Sequence, residues 1–190
     1  MSQRTKFLLL VGLFMLPTAA SFIVFYFFPP EKSGNYGELV SPVIQLPALG
    51  AARYSPLPPD AGDVLRGKWL LITRDGGGCE AACRTKLFAM RQARLILGRD
   101  QDRVVLVILV DDDVIPAASL QKEFDGAVWL AAKSSPWLKV LPPSVGGGNA
   151  RGNIFAADPL GNLFMRYAAE PDIKRLSRDL QRVLKASQIG

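Results

Sequence analysis

Lys68-Trp69-Leu70-Leu71-Ile72-Thr73-Arg74-Asp75-Gly76-Gly77-Gly78-Cys79-Glu80-Ala81-Ala82-Cys83 decides the fold. It opens with a short apolar run of strand length, Lys68 to Thr73. Three glycines follow, and then the only two cysteines of the chain, four positions apart. Beyond them Leu87, Met90, Ala93 and Leu97 recur at spacings of three and four, which predicts a helix from about Glu80 to Leu97, stopped by Gly98. The sequence thus delivers a cysteine pair from a strand to a helix N-terminus. Free N–H groups and the helix macrodipole stabilise a thiolate there, so the arrangement suits redox or soft-metal chemistry.

Downstream, Val104-Val105-Leu106-Val107-Ile108-Leu109-Val110 is unbroken aliphatic sequence, the pattern of a central strand covered on both faces. Ala117 to Phe124 reads as a short helix and Ala127 to Ala131 as a short strand, with mostly loop from Pro136 to Gly148. Asn153 to Ala157 and Leu163 to Tyr167 flank Asp158-Pro159-Leu160-Gly161-Asn162, a hairpin turn by its chemistry. A last helix is predicted from Pro171 to about Ala186, with proline in the first helical position. Its apolar stripe is Ile173, Leu176, Leu180, Val183 and Leu184. The order strand, helix, strand, helix, strand, hairpin, helix predicts an α/β fold, a thioredoxin-like mixed sheet flanked by helices.

Within that frame Cys79 is expected to be the more exposed, attacking thiol and Cys83, one turn inside the helix, the resolving thiol. Arg74, Arg84 and Lys86 favour the thiolate, while Asp75 and Glu80 oppose it. Two blander readings stand beside this one. A disulfide closing so short a loop stabilises by only about 2 kcal/mol in the chain-entropy model. Alternatively, the two residues are simply small and buried. The sequence has no histidine, which excludes Ser-His-Asp hydrolysis, histidine-metal hydrolysis and histidine-ligated haem. Neither Gly76-Gly77-Gly78 nor Gly146-Gly147-Gly148 fits a phosphate-binding fingerprint. Asp111-Asp112-Asp113 could in isolation hold a hard cation, but after a buried strand it reads better as a solvated loop or helix start.

The chain has 190 residues and a net charge of +6. No basic cluster interleaved with aromatics points to nucleic acid. Hydrophobic content is 49%, and the excess lies at the N-terminus, where Phe7 to Phe28 carries no charge. As a helix that stretch spans about 33 Å, enough for a bilayer core. Pro17-Thr18-Ala19-Ala20-Ser21 imitates a signal-peptide cleavage site, yet the apolar run resumes beyond it, favouring an uncleaved anchor. Arg4 and Lys6 precede the span. The positive-inside rule then puts residues 1–6 in the cytoplasm, 7–28 in a bacterial inner membrane and the rest in the periplasm. That compartment allows a Cys79–Cys83 disulfide to persist. Residues 29–59, rich in Pro, Gly and Ser, read as a linker before a domain at 60–190, with Asn35 to Val40 less linker-like and a candidate to pack on the domain.

The anchor, the Gly67-Lys68-Trp69-Leu70-Leu71 strand, the Cys79-x-x-x-Cys83 spacing, the strand ending at Asp111 and the Asp158 to Asn162 turn together resemble the Sco/SenC family. Its members are membrane-anchored thioredoxin-like proteins that help assemble the copper site of cytochrome c oxidase. The resemblance implies an oxidase subunit or another periplasmic thiol protein as partner. It also implies copper, bound in the family by the two cysteines and one histidine about eight residues before the Asp-Pro turn. Here that position falls near Asn149 or Ala150. Arg74-Asp75-Gly76-Gly77-Gly78 likewise replaces the family's aromatic-rich turn. The remaining donors for Cu(I) are the thiolates of Cys79 and Cys83, with Met90 or Met165 as a thioether, though both methionines sit in core-like patterns. Three functions follow: thiol–disulfide exchange through Cys79 and Cys83, a two-thiolate Cu(I) carrier, or a non-catalytic assembly factor with a structural bridge.

Overall fold

The computed structural model describes residues 2–27, 34–48, 52–54, 65, 67–143 and 150–187. The chain divides into two units, 1–35 and 36–190. The first contains one helix, α1 (Gln3–Phe27), long and apolar enough to cross a membrane. Helical structure continues through Pro17, where the missing N–H removes one rung of the ladder.

The second unit is built on a mixed sheet. Its strands are β1 (Glu38–Gln45), β2 (Ala52–Arg53), β3 (Trp69–Asp75), β4 (Val104–Val110), β5 (Ala127–Ala131), β6 (Asn153–Ala157) and β7 (Asn162–Ala168), in the spatial order β1-β7-β6-β3-β4-β5-β2. β3, β4 and β5 are parallel, with Leu71 opposite Leu106 and Leu106 opposite Ala127. β6 returns antiparallel to β3, and β7 to β6. Every residue of β4 is buried, as its unbroken aliphatic run requires of a strand covered on both faces.

Side chains alternate across the sheet. Trp69 and Leu71 of β3 enter one core, while Leu70 and Ile72 enter the other. The first core lies under α2 (Ala81–Ile96), α3 (Ala118–Glu123) and α5 (Ile173–Ala186), through Leu87 and Met90, Leu120, and Leu176, Leu180 and Leu184. The second is closed by Trp137 of α4 (Trp137–Val140) together with Leu46, Leu65 and Leu141. Each large aliphatic side chain taken from water contributes about 1.5–3 kcal/mol, so the two faces drive the layering.

Three readings of the sequence need correction. The linker placed at 29–59 is sheet over part of its described length. β1 pairs antiparallel with β7, Glu38 opposite Arg166, and β2 pairs with β5, Ala52 opposite Ala131. The prolines misled because both strands lie on sheet edges. Pro42 falls where the register with β7 slips between Leu39 and Ile44, so its missing N–H breaks no regular ladder. Second, the final helix begins after Pro171. Asp172 is its N-cap, accepting a hydrogen bond from the Arg175 N–H at 3.0 Å, and a capping carboxylate outranks a nearby proline as the start signal. Third, the segment read as mostly loop contains one helical turn, Trp137–Val140; Gly146-Gly147-Gly148 and Asn149 lie outside the described residues.

Candidate functional site

β3 ends at Asp75, at the carboxyl edge of the parallel strands, where open α/β sheets place their binding crevices. Close approach of backbone requires the glycine at 77, while at 76 only side-chain ends lie near. A Cβ on Gly77 would lie 1.7 Å from the Val114 carbonyl oxygen, and one on Gly76 would lie 2.5 Å from Asp112 Oδ2. The loop after β4 is sewn to the glycines, because Asp112 Oδ1 accepts from the Gly77 N–H at 2.9 Å and the Val114 N–H at 3.1 Å. Cys79 donates its N–H to the Gly76 carbonyl at 3.1 Å and adopts φ +41°, a left-handed conformation that a non-glycine residue rarely takes. Glu80 is the N-cap of α2 but makes no side-chain cap.

This turn joins Cys79 to Cys83 in a disulfide with Cα atoms 5.1 Å apart. Both residues are 3% exposed. The sequence reading made Cys79 the more exposed sulfur; the left-handed turn instead folds it into the same core face as Cys83. The bridge borders a cleft of about 500 Å³, whose wall also includes Lys86, Asp75, Asp112, Val114 and Arg151.

The charges around it form an ordered network. Lys86, three residues beyond Cys83 on α2, is 1% exposed. Its Nζ donates to Asp75 Oδ2 at 2.8 Å, to the Arg74 carbonyl at 3.1 Å and to the Arg151 carbonyl. Burial pushes the Lys86 ammonium below the usual lysine range, and the Asp75 carboxylate offsets that only in part. Asp111, at the end of β4, accepts from Arg74 Nε and from both Nε and the NH2 nitrogen of Arg151. Burial raises its pKa, but the hydrogen bonds from Arg151 and Arg74 outweigh it and hold the carboxyl below the ordinary aspartate value. Asp111 in turn raises the pKa of Arg151.

Of the three cations expected to favour a thiolate, Lys86 alone lines the cleft. Arg74 turns to Asp111, and Arg84 pairs with Glu123 in solvent. The aspartate triplet is no cation site, and it is not a solvated loop throughout. Asp111 is buried between two guanidiniums, Asp112 caps loop N–H groups, and Asp113 pairs with Lys133 at the surface. Along the sequence Lys86 is one of several nearby charges; in the fold it is buried. The signal was there: a lysine in an apolar helix face, beside Leu87 and Met90. Arg151, far away in sequence, carried no such signal.

The donor set can be compared with that of a copper centre. The histidine position read from the resemblance falls at Asn149, outside the described residues, or at Ala150, which opens a short 3-10 turn (Ala150–Gly152). The next residue, Arg151, brings a guanidinium to the cleft wall. Met90 and Met165 are core residues, Met165 Sδ accepting from the Tyr167 hydroxyl at 2.8 Å. Among the described residues no three His, Cys, Asp or Glu side chains converge as a metal would need. The described residues of this cleft, a Cys79–Cys83 disulfide with Lys86 and Arg151 in the same wall, do not supply the three ligands of such a copper site.

Among solved structures the fold is similar to apo Sco1 from Thermus thermophilus, at TM-score 0.56 and 19% identity, covering 81% of this chain and 99% of that one. It is also similar to yeast Sco1 with copper bound, at TM-score 0.52 and 18% identity, covering 66% and 80%. At such identities the likeness establishes a shared thioredoxin-like fold and nothing finer. No curated protein matches the chain. Residues 69–187, from the first strand of the parallel set to the end of the last helix, match the family model described as transmembrane-like, thioredoxin-like, C-terminal domain. The chain therefore belongs to that family of thioredoxin-like domains.

Proposed function

We propose that the protein is a membrane-anchored thiol–disulfide exchange protein of Sco type, with Cys79 and Cys83 as its reacting pair. The observation that carries this reading is the strand, left-handed turn and helix that set both cysteines beside an open, charged cleft. In the reduced protein the Cys79 thiolate attacks one sulfur of a substrate disulfide. That S–S bond breaks, a Cys79–substrate mixed disulfide forms, and the departing sulfur leaves as a thiolate that takes up a proton. The Cys83 thiolate then attacks Cys79 Sγ, closes the intramolecular bridge and expels the second substrate sulfur. Two electrons pass from protein to substrate, and a thiol reductant of the compartment restores the dithiol. No step involves copper.

The N-terminal charges support a cytoplasmic N-terminus with the domain in the periplasm. The resemblance to Sco/SenC proteins supports a place in cytochrome c oxidase biogenesis, with a cysteine pair that must be reduced before copper loading as the natural substrate. The test uses the full-length Cys83→Ala protein in its membrane. A mixed disulfide with a periplasmic or oxidase thiol protein, released by reductant, is expected on non-reducing gels. If no such species can be trapped, the exchange mechanism fails.

A second reading is favoured by one observation, the burial of both cysteines, each 3% exposed. In it the bridge is structural and the domain acts by docking alone. A double Cys79→Ala/Cys83→Ala protein that still supports oxidase assembly would select this reading.

A further inference from the structure

We propose that the outer face of α5 is a membrane-docking surface, its stripe of basic side chains seating the thioredoxin-like unit on anionic lipid headgroups. This rests on the membrane-anchored reading above and says how the anchored domain is held. From Ile173 to Ala186 the helix carries five basic residues, Lys174, Arg175, Arg178, Arg182 and Lys185, and every one is exposed. Lys174, Arg178, Arg182 and Lys185 follow one another at helical spacings of four, four and three, and Arg175 lies three before Arg178, so they form one stripe. Leu176, Leu180 and Leu184 meanwhile fill the core beneath. Two acids lie close. Asp179 is buried, accepts from the Tyr36 and Gly37 N–H groups and lies 3.6 Å from Arg182. Asp172 caps the helix and lies 3.9 Å from Arg175. The stripe keeps a positive surplus.

A row of surface charge is usually no more than a solvated helix face. Two observations on separate elements raise this one above that. The first is chain reach. α1 ends at Phe27 and the second unit starts at Tyr36, nine residues on, a stretch that even fully extended covers at most about 30 Å. Tyr36 is itself fixed on α5. Its N–H donates to Asp179 at 2.8 Å, its hydroxyl accepts from the Asp172 N–H at 2.8 Å, and the Arg175 guanidinium lies 5.7 Å from its ring centroid. In an anchored protein the chain thus comes from the bilayer onto the helix that bears the stripe, and the tether makes docking an intramolecular event. The second observation lies on α2, which packs beside α5 over the same core. Its outer face leaves Phe88, Leu95 and Ile96 about half exposed, together with Arg91. Basic and apolar side chains on one helical layer suit an anionic interface, and each lysine or arginine held near it strengthens the attraction about fivefold. α2 and α5 cover one face of the sheet, so with that face down the strands lie along the bilayer. The cleft at their carboxyl edge, bordered by Cys79, Cys83 and Ala169, then opens sideways, toward partners held in the same membrane.

The test places full-length protein, one copy per disc, in lipid nanodiscs of phosphatidylcholine alone or of an equal mixture with phosphatidylglycerol. Trace acetylation read by mass spectrometry then reports lysine access. Lys174 and Lys185 are expected to react about fivefold more slowly in the anionic discs. Lys139, on the opposite face of the sheet, is expected to react alike in both. In about 1 M salt, where charges act over only about 3 Å, most of the protection should vanish. Arg178→Glu should abolish it, while the same charge change at Lys139 should not. Should Arg178→Glu fail to fold by circular dichroism, the two lipid compositions still decide on the natural sequence. The inference is overturned if Lys174 and Lys185 react equally in both discs, which leaves the stripe to an acidic protein, or if Lys139 slows as much as they do. Protein that enters the discs without this protection sinks the inference and spares the anchor. Protein that does not enter them sinks the anchored reading and the inference with it.

Discussion

Asp111 shows how much one side chain can decide at this site. It is 2% exposed and accepts from two guanidiniums that come from β3 and from the turn before β6. Asp111→Asn should lower stability by about 2–3 kcal/mol at neutral pH, less than a wholly buried pair because Arg151 keeps 39% exposure. Its folded pKa lies below the unfolded value near 4. The stabilisation is therefore complete above about pH 4 and is lost as pH falls through the folded value. Urea unfolding of both proteins at several pH values checks this; the gap should close in acid, and a gap independent of pH would exclude the charge argument. At Gly77 the limit is steric. Gly77→Ala sets a methyl against the Val114 carbonyl and should cost about 1–3 kcal/mol in the same assay, whereas Gly78, with open space around it, should accept alanine with little steric penalty. Neither role is legible in the sequence. An aspartate triplet and a glycine triplet look uniform along the chain, and their members differ only through partners brought close by folding.

At the scale of elements, what the sequence reveals depends on how many faces an element buries. β4 is continuous aliphatic sequence because both its faces are covered, and the Asp158 to Asn162 turn carries its own chemistry, Asp158 accepting from Leu160 and Asn162 N–H groups. Those elements and α2 could be read directly. β1 could not, because an edge strand with a proline needs only a neighbour to form. Its start is instead held by α5: Asp179, buried, accepts from the Tyr36 and Gly37 N–H groups at 2.8 and 2.9 Å. Asp179→Ala leaves those two donors without their acceptor and should destabilise by about 1–3 kcal/mol. Hydrogen exchange should show the loss concentrated in residues 36–45, with β3 and β4 still protected. Uniform loss across the sheet would mean that this contact does not organise the edge locally.

For the whole molecule, α1 and the thioredoxin-like unit make separate predictions. Full-length protein should stay with membranes through an alkaline carbonate wash. A form starting at Tyr36 should be released and unfold at the same urea midpoint, since the sheet and both cores lie beyond that residue. The charge pattern along the chain made this division legible, while the working state of Cys79 and Cys83 could not be read from it. Spacing allows either a reacting pair or a fixed bridge, and the burial that favours a bridge does not by itself decide between them. The reduction potential of the Cys79–Cys83 couple does, measured on full-length protein in detergent against a thiol redox buffer. A reacting pair gives a value above about −300 mV, within the range of exchange proteins, whereas a value well below about −300 mV would mark a structural bridge and contradict the exchange mechanism.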